Sequence, residues 1–196
     1  MKRSLLSFFF LFSALCLWAQ SDILQDFNES RLEKQRKSML VLGTWAVGNI
    51  AAGSILFNQH KGSERHFHIM NAGWNVVNLG LATLGYFNAI KTDPSALGLF
   101  ESIEAQNALE KTFLFNGGLD VGYVLGGLYL MEKAKTADKN ADQLKGFGKS
   151  IILQGAFLFV FDLAAYFWQN SHQSTVSPLL GQVYFDGQVL GWLVQF

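Results

Sequence analysis

The sequence predicts an all-α membrane protein in which four transmembrane helices form a bundle and a β-hairpin-like tail follows. Half of the 196 residues are hydrophobic and only 15% are charged, whereas an average soluble domain has about 25% charged residues. The charged residues are concentrated between four long apolar blocks. After the last block the sequence changes to an alternation of apolar and polar residues, which is typical of strands.

The first 19 residues have the organisation of a secretory signal peptide. Lys2 and Arg3 precede an apolar run over 5–18, and a signal peptide has an apolar region of roughly 7–15 residues after a basic start. We predict a signal peptide over 1–19, with an uncleaved signal anchor as the alternative. In both cases the next segment lies on the far side of the membrane. The only cysteine, Cys16, is in this leader, so no disulfide is expected.

Residues 20–38 are predicted to form a lead-in helix outside the membrane. Acidic residues come first in this segment and basic residues come last, which suits the dipole of a helix that continues into a membrane span. We interpret the segment as solvated or interfacial.

Four apolar blocks are long enough to cross a bilayer, whose hydrocarbon core requires about 20 helical residues. Buried helices of a soluble protein are the alternative, but they would leave almost no amphipathic helix to cover them. We therefore predict a transmembrane bundle over 39–170. Its four spans are 39–58, 68–90, 112–131 and 147–169.

The charges of the connecting segments predict the orientation of the bundle. The links after the first and third spans are basic, whereas the link after the second span is acidic and includes Glu110. Basic links remain in the cytoplasm, so both mature termini are predicted to be periplasmic in a bacterial inner membrane. The lipid bilayer is then the main partner. The net charge of zero gives no reason to expect nucleic acid.

The tail over 171–196 is predicted to contain an external hairpin. Its apolar and polar residues alternate around Asp186-Gly187, and this dipeptide between two apolar runs is a strong hairpin signal.

Two aspartates are the only acidic residues inside the predicted spans. Asp120 and Asp162 lie at nearly the same depth, because their spans run antiparallel and each residue is about two helical turns from the outer face. A charged aspartate at the centre of a membrane helix costs about 2.5–3.5 kcal/mol, and no lysine or arginine lies at that depth. We expect that at least one of the two carries a proton, or that a cation lies between them.

Other polar residues recur at helical spacing and predict a polar seam inside the bundle. Asn116 and Tyr123 share the helix face of Asp120, and Tyr166 lies one turn from Asp162. The predicted seam consists of Asn49, Asn75, Asn78, Asn116, Asp120, Tyr123, Asp162 and Tyr166. Two roles are open: hydrogen bonds that join the helices, or a site for an ion, a proton or a small solute.

Glycines recur every four residues at Gly118, Gly122 and Gly126. Small residues at this spacing let membrane helices approach closely, so we predict helix packing along this ridge, on a different face from the seam. His60, His66 and His68 lack the spacing that places two ligands on one helix face, and we interpret them as solvated loop residues. No catalytic residue, metal or cofactor is predicted.

The leader, the four short spans, the Asn/Asp/Tyr seam and the Phe-ending hairpin resemble an uncharacterised family of small bacterial membrane proteins with four helices and an N-terminal signal peptide. The resemblance covers nearly the whole chain. It implies the bundle and no activity.

Three functions are compatible with the sequence. The first is a non-enzymatic scaffold or accessory subunit of the bacterial envelope. The second is a transport or ion-coupling module that uses Asp120 and Asp162 as a shared site. The third and least favoured is a membrane enzyme, because no nucleophile is recognisable. A homo-oligomer or an envelope complex is compatible with the pattern.

Overall fold

The chain folds into four long α-helices joined by short links. The computed structural model describes the backbone of residues 2–176 and two short strands, and the side chains of residues 22–176. The helices are α1 (Lys2–Leu56), α2 (Gly62–Lys91), α3 (Leu99–Ala134) and α4 (Ala141–Asn170), followed by a 3-10 turn over Gln173–Thr175.

Two short strands lie in the tail. The strands β1 (Val183–Phe185) and β2 (Leu190–Trp192) pair antiparallel, with Tyr184 opposite Gly191. The remaining residues of 177–196 lie outside the described residues, so the external position of the predicted tail stays a prediction. The backbone of the predicted leader is helical and continuous with the rest of α1, and its cleavage likewise stays a prediction.

The helices pack in the order α1, α2, α4, α3, with α2 and α4 in the middle. The pairs α1–α2 and α3–α4 are antiparallel, whereas α2 and α4 run in the same direction. We call the end that carries the N-terminal part of α1 and the C-terminal end of α4 the upper end. At this end, the amide of Gln169 on α4 donates to the backbone carbonyl of Arg31 on α1. At the lower end, Lys149 of α4 contacts Glu64 of α2.

The helices are longer than the predicted spans, chiefly at the upper end. α3 begins at Leu99, and α1 passes through the whole lead-in without a break. The lead-in face that carries Phe27 and Asn28 is buried, with exposed fractions of 1% and 0%. The lead-in therefore packs against the bundle and is solvated only on its other side.

Two helical stretches, Asp22–Leu56 and Ala141–Thr175, are long and apolar enough to cross a membrane. Within the described residues, α2 and α3 do not reach the same mean hydropathy. Two such helices indicate membrane association only weakly, since a leader or the core helix of a soluble protein passes the same test.

Many polar side chains are buried inside this bundle, and many large apolar side chains are exposed on its outside. In the described part of the chain, buried polar residues outnumber buried apolar residues. On α2, Asn71, Asn75 and Asn78 are at most 4% exposed, whereas Leu81 and Leu84 are 56% and 72% exposed. A soluble helical bundle has the opposite distribution, with its large aliphatic side chains in the core.

The closest approach between α3 and α4 occurs at glycines. A Cβ atom on Gly127 would lie 2.7 Å from the carbonyl oxygen of Gly148, and one on Gly148 would lie 2.6 Å from that of Gly127. Higher up, a Cβ atom on Gly155 would lie 3.0 Å from the carbonyl oxygen of Asp120. The two backbones therefore touch where no side chain fits.

The predicted glycine ridge faces away from the other helices. A Cβ atom on Gly118, Gly122 or Gly126 would meet nothing within 4 Å. Among the described residues the ridge therefore packs against no helix of its own chain, and the adjacent Gly127 makes the close contact instead. A role of the ridge in packing between chains stays a prediction.

Candidate functional site

The carboxyl groups of Asp120 on α3 and Asp162 on α4 are neighbours on the wall of one cavity. Their exposed fractions are 2% and 5%. Two carboxyl groups can hydrogen-bond only when one of them carries a proton, because a carboxylate has no donor. The Oδ2 atom of Asp120 has no hydrogen-bond partner within the described part of the chain.

A cavity of about 140 Å³ adjoins this carboxyl pair. Its polar lining consists of Asn78, Asn116, Asp120, Tyr123 and Asp162, and the rest of its wall is apolar. A cavity of this size holds a few water molecules, each of which occupies about 30 Å³ in the liquid. The arrangement therefore places oxygen atoms from three helices around a space with room for a few water molecules.

Below the carboxyl pair, side-chain amides connect α1, α2 and α4. The amide of Asn71 donates to Asn49 Oδ1 at 2.7 Å and accepts from Gln154 Nε2 at 2.5 Å. Trp45 Nε1 donates to Gln154 Oε1 at 2.9 Å. Since Gln154 and Asn71 are at most 3% exposed, these bonds form in an environment without competing solvent, where an unmade bond is costly.

The asparagines of α2 make the seam continuous from the amides to the carboxyl pair. Asn75 donates to the backbone of Asn71 at 2.8 Å, and Asn78 donates to Asn75 Oδ1 at 3.3 Å. Asn78 then reaches the cavity. On α4 the turn between Gln154 and Asp162 is occupied by Leu158, so the polar connection passes through α2.

The structure brings together most of the residues that the sequence predicts for the seam. The exception is Tyr166, which is half-buried against Phe167, with ring centroids 5.2 Å apart, and does not line the cavity. Trp45 joins the seam although its position near a span end suggests an interfacial aromatic. The sequence feature that could have placed Trp45 in the seam is its spacing of four residues from Asn49, which puts the two side chains on one face of α1.

A second buried polar cluster, which is absent from the sequence-based predictions, lies at the upper end. Asn28 of α1 donates to Ser102 of α3 at 2.9 Å, and Gln106 of α3 donates to Glu110 at 2.6 Å and to the backbone of Gln169 at 3.0 Å. The prediction that Glu110 lies in a loop is wrong, because it is in α3 and only 7% exposed. The i, i+4, i+8 spacing of Ser102, Gln106 and Glu110 could have revealed this cluster.

Arg31 belongs to the same upper cluster. The residue is 6% exposed, and its guanidinium donates to Asn28 Oδ1 at 3.3 Å. The ion pairs found among the described residues do not include it. A buried cation that contacts an amide oxygen in place of a carboxylate is costly, so this cluster constrains the packing of α1 on α3 and α4.

Three histidines lie at the lower end, where α1 is linked to α2. His66 and His68 lie in α2, which corrects their prediction as loop residues, and the rings of His60 and His68 are 4.9 Å apart. No group of three potential ligands occurs in the described residues. Lys149 donates to Glu64 at 2.6 Å, and this hydrogen bond holds the pKa of Glu64 below its ordinary value.

These features define a helical bundle with a polar interior and an apolar exterior. The chain belongs to a family of unknown function, DUF6992, whose model matches residues 41–163. The matched range includes the amide network and the carboxyl pair, and it ends before Tyr166. Membership of an uncharacterised family is thereby confirmed, whereas the bacterial origin and the signal peptide stay predictions. No curated protein and no solved structure matches the chain.

Proposed function

We propose that this protein is a multi-pass protein of the bacterial inner membrane, in which all four helices cross the bilayer. The observation that carries the proposal is the apolar exterior of α2 and α3. Leu84 of α2 and Phe115 and Leu125 of α3 are 61–72% exposed within the chain. Moving one such side chain from water into an apolar environment is favourable by about 1.5–3 kcal/mol. Lipid around the bundle provides this environment, whereas water does not.

The low mean hydropathy of α2 and α3 does not oppose this proposal. It results from residues such as Asn71, Asn75 and Asp120, which are buried between the helices. A mean over the whole helix counts these residues against insertion, although lipid would contact only the apolar face. Polar groups at membrane depth are expected to face the bundle interior in this way.

The charge of the links supports an orientation with the lower end in the cytoplasm. Lys133, Lys135, Lys139 and Lys145 surround the link between α3 and α4, and basic links remain on the cytoplasmic side. The upper end, with both mature termini, is then periplasmic.

Within the membrane, we infer that the seam joins the helices by hydrogen bonds. The protein is then a non-enzymatic scaffold or accessory subunit. The amides of the seam satisfy one another across three helices, which is the arrangement expected of a structural network. The bilayer is the partner implied directly, and the exposed glycine ridge is compatible with a homo-oligomer or an envelope complex.

A transport or ion-coupling module is the second candidate, and one specific observation favours it. Among the residues that the structure describes, Asp120 Oδ2 has no hydrogen-bond partner, and it lies beside a cavity lined by further oxygens. A small cation or a proton bound there would complete its coordination.

Replacing the carboxyl groups separates the two candidates. If the seam is structural, Asp162→Leu should destabilise the purified protein by about 1–3 kcal/mol, because Asp120 loses its buried partner. The stability of the wild type should then be the same in sodium, potassium and choline salts at equal ionic strength. Reversible unfolding in mixed micelles measures both quantities.

An ion-coupling site predicts a different result in the same assay. One cation would stabilise the wild type, and the effect would vanish in the Asp120→Asn/Asp162→Asn variant while its stability in choline is retained. Asp138→Asn, in the exposed link after α3, removes a carboxylate without touching the seam and serves as the control. A cation effect that survives in the double variant would contradict the shared site.

A further inference from the structure

One lysine fastens the upper end of α4 to α1. Lys34 Nζ donates to the backbone carbonyl of Trp168 at 2.9 Å and to Ser171 Oγ at 3.0 Å. Both acceptors lie at the end of α4, where backbone carbonyls have no partner within the helix. The ammonium group of Lys34 therefore caps α4, as cations do at helix C-termini.

The imidazole of His172 lies directly on this contact. Its Nδ1 atom is 3.0 Å from Lys34 Nζ and 2.7 Å from the backbone carbonyl oxygen of Gln169. Its ring packs on the buried Phe27 of α1, with ring centroids 4.8 Å apart. A neutral imidazole suits this position, because Nδ1 either accepts from Lys34 or donates to Gln169 according to the tautomer.

Protonation of His172 would make its contact with Lys34 repulsive, whichever tautomer the neutral ring has. Both nitrogens of an imidazolium carry hydrogens, so Nδ1 could no longer accept from Lys34. Two positive charges would then lie 3.0 Å apart in a partly buried site, where they are screened less than at the surface.

We propose that Lys34 and His172 form a pH-sensitive latch, which holds the upper part of α1 on the end of α4 while His172 is neutral and releases it when His172 is protonated. The α1–α4 interface is small, and outside the upper cluster it includes the pairing of Trp45 with Gln154 and Phe157. Release at the upper end can therefore occur while the membrane part of the bundle stays assembled.

The charges around His172 favour its neutral form on balance. Burial and the Lys34 ammonium of α1 lower the pKa of His172 below its ordinary value, whereas the backbone carbonyls of Gln169 and Phe27 and the carboxylate of Glu110 on α3 act in the opposite direction. Arg31 of α1 adds a second cation to the cluster. From 163 to 176, α4 and the 3-10 turn carry no acidic, lysine or arginine side chain, and α2 supplies none of the charges that shift His172.

The sign of the pH dependence follows from this shift. With the latch open, His172 titrates near its ordinary pKa of about 6.5, and with the latch closed it titrates at a lower pH. The closed form therefore has its full stability above about pH 6.5 and loses it as the pH falls through the closed-state pKa. Between the two values, the ratio of open to closed chains rises by up to about tenfold per pH unit.

Pulsed electron-spin distances between α1 and the end of α4 test the latch. Spin labels are placed at Asp26 and Thr175, both exposed, in the full chain with Cys16→Ser, reconstituted in lipid nanodiscs. A single distance is expected at pH 7.5. Below pH 6.5 a second, longer distance should appear, and the ratio of its population to that of the first should rise by up to about tenfold per pH unit. His172→Gln should keep the single distance at every pH, whereas the control His60→Gln should behave like the wild type.

Two results would overturn the proposal: a wild-type distance that stays constant from pH 7.5 to 5, or a pH-dependent change that persists in His172→Gln. If His172→Gln does not fold, the imidazole of the wild type is titrated by NMR. Its midpoint should be below that of free histidine and should rise in Lys34→Met, which removes the neighbouring cation. An ordinary midpoint that Lys34→Met leaves unchanged would also exclude the latch.

Discussion

Replacing Gly127 by alanine is expected to destabilise the bundle by about 1–3 kcal/mol, the typical cost of overpacking a well-packed core. The new Cβ atom would lie 2.7 Å from the carbonyl oxygen of Gly148 and 2.7 Å from Cγ1 of Ile152. The carbonyl belongs to the α4 backbone and cannot rotate away, so α3 and α4 would have to separate. This loss exceeds the gain of about 1 kcal/mol from the higher helix propensity of alanine.

The preceding residue provides a matched control. A Cβ atom on Gly126 meets nothing within 4 Å, so Gly126→Ala should leave the stability unchanged or raise it slightly. The free energy of unfolding in mixed micelles measures both variants. Equal stability of Gly126→Ala and Gly127→Ala would contradict the contact between α3 and α4. A loss of oligomers confined to Gly126→Ala would indicate that the ridge packs between chains.

Replacing Gln154 by leucine is expected to cost at least about 2 kcal/mol, because two buried groups lose their partner and each orphaned group costs roughly 1–3 kcal/mol. Gln154 is 0% exposed and hydrogen-bonds both Asn71 and Trp45. Leucine is of similar size and is well accepted by lipid, so the loss would report the hydrogen bonds and not a failure to insert. The free energy of unfolding is again the measured quantity.

Thr83→Leu is the control for this variant. Thr83 is exposed and its hydroxyl bonds only the backbone of Leu79 in its own helix, so its loss should have little effect. Asn71→Leu combined with Gln154→Leu should cost less than the sum of the two single variants, because they share one hydrogen bond. Additive losses, or a Gln154→Leu variant as stable as Thr83→Leu, would contradict the network between the helices.

The sequence predicts the four helices and much of the seam because both depend on local spacing. Apolar blocks of membrane length indicate where the helices lie, and the i, i+4, i+7 spacing of Asn71, Asn75 and Asn78 indicates that they share a face. The antiparallel succession of spans is sufficient to bring Asp120 and Asp162 to one depth. Each of these inferences needs only the period and the length of a helix.

What the sequence does not predict depends on how the helices are rotated against one another. Gly126 and Gly127 are neighbours, yet only Gly127 contacts α4, and no property of the α3 sequence determines this choice. The charged residues around Glu110 predict a loop there, whereas α3 continues beyond the span and buries Glu110. Tyr166 has the correct spacing from Asp162, but it lies outside the cavity.

The proposed membrane position requires that lipid surrounds α2 and α3 as well as α1 and α4. Spin labels at Leu84 and Leu125, in a Cys16→Ser chain reconstituted in liposomes, test it through collisions with oxygen, which concentrates in lipid, and with a water-soluble nickel chelate. A label at Asp138 provides the water reference. If all four helices cross the bilayer, oxygen accessibility is high and nickel accessibility is low at both leucines. Nickel accessibility at Leu84 and Leu125 equal to that at Asp138 would show that these helices face water and would contradict the proposed membrane position.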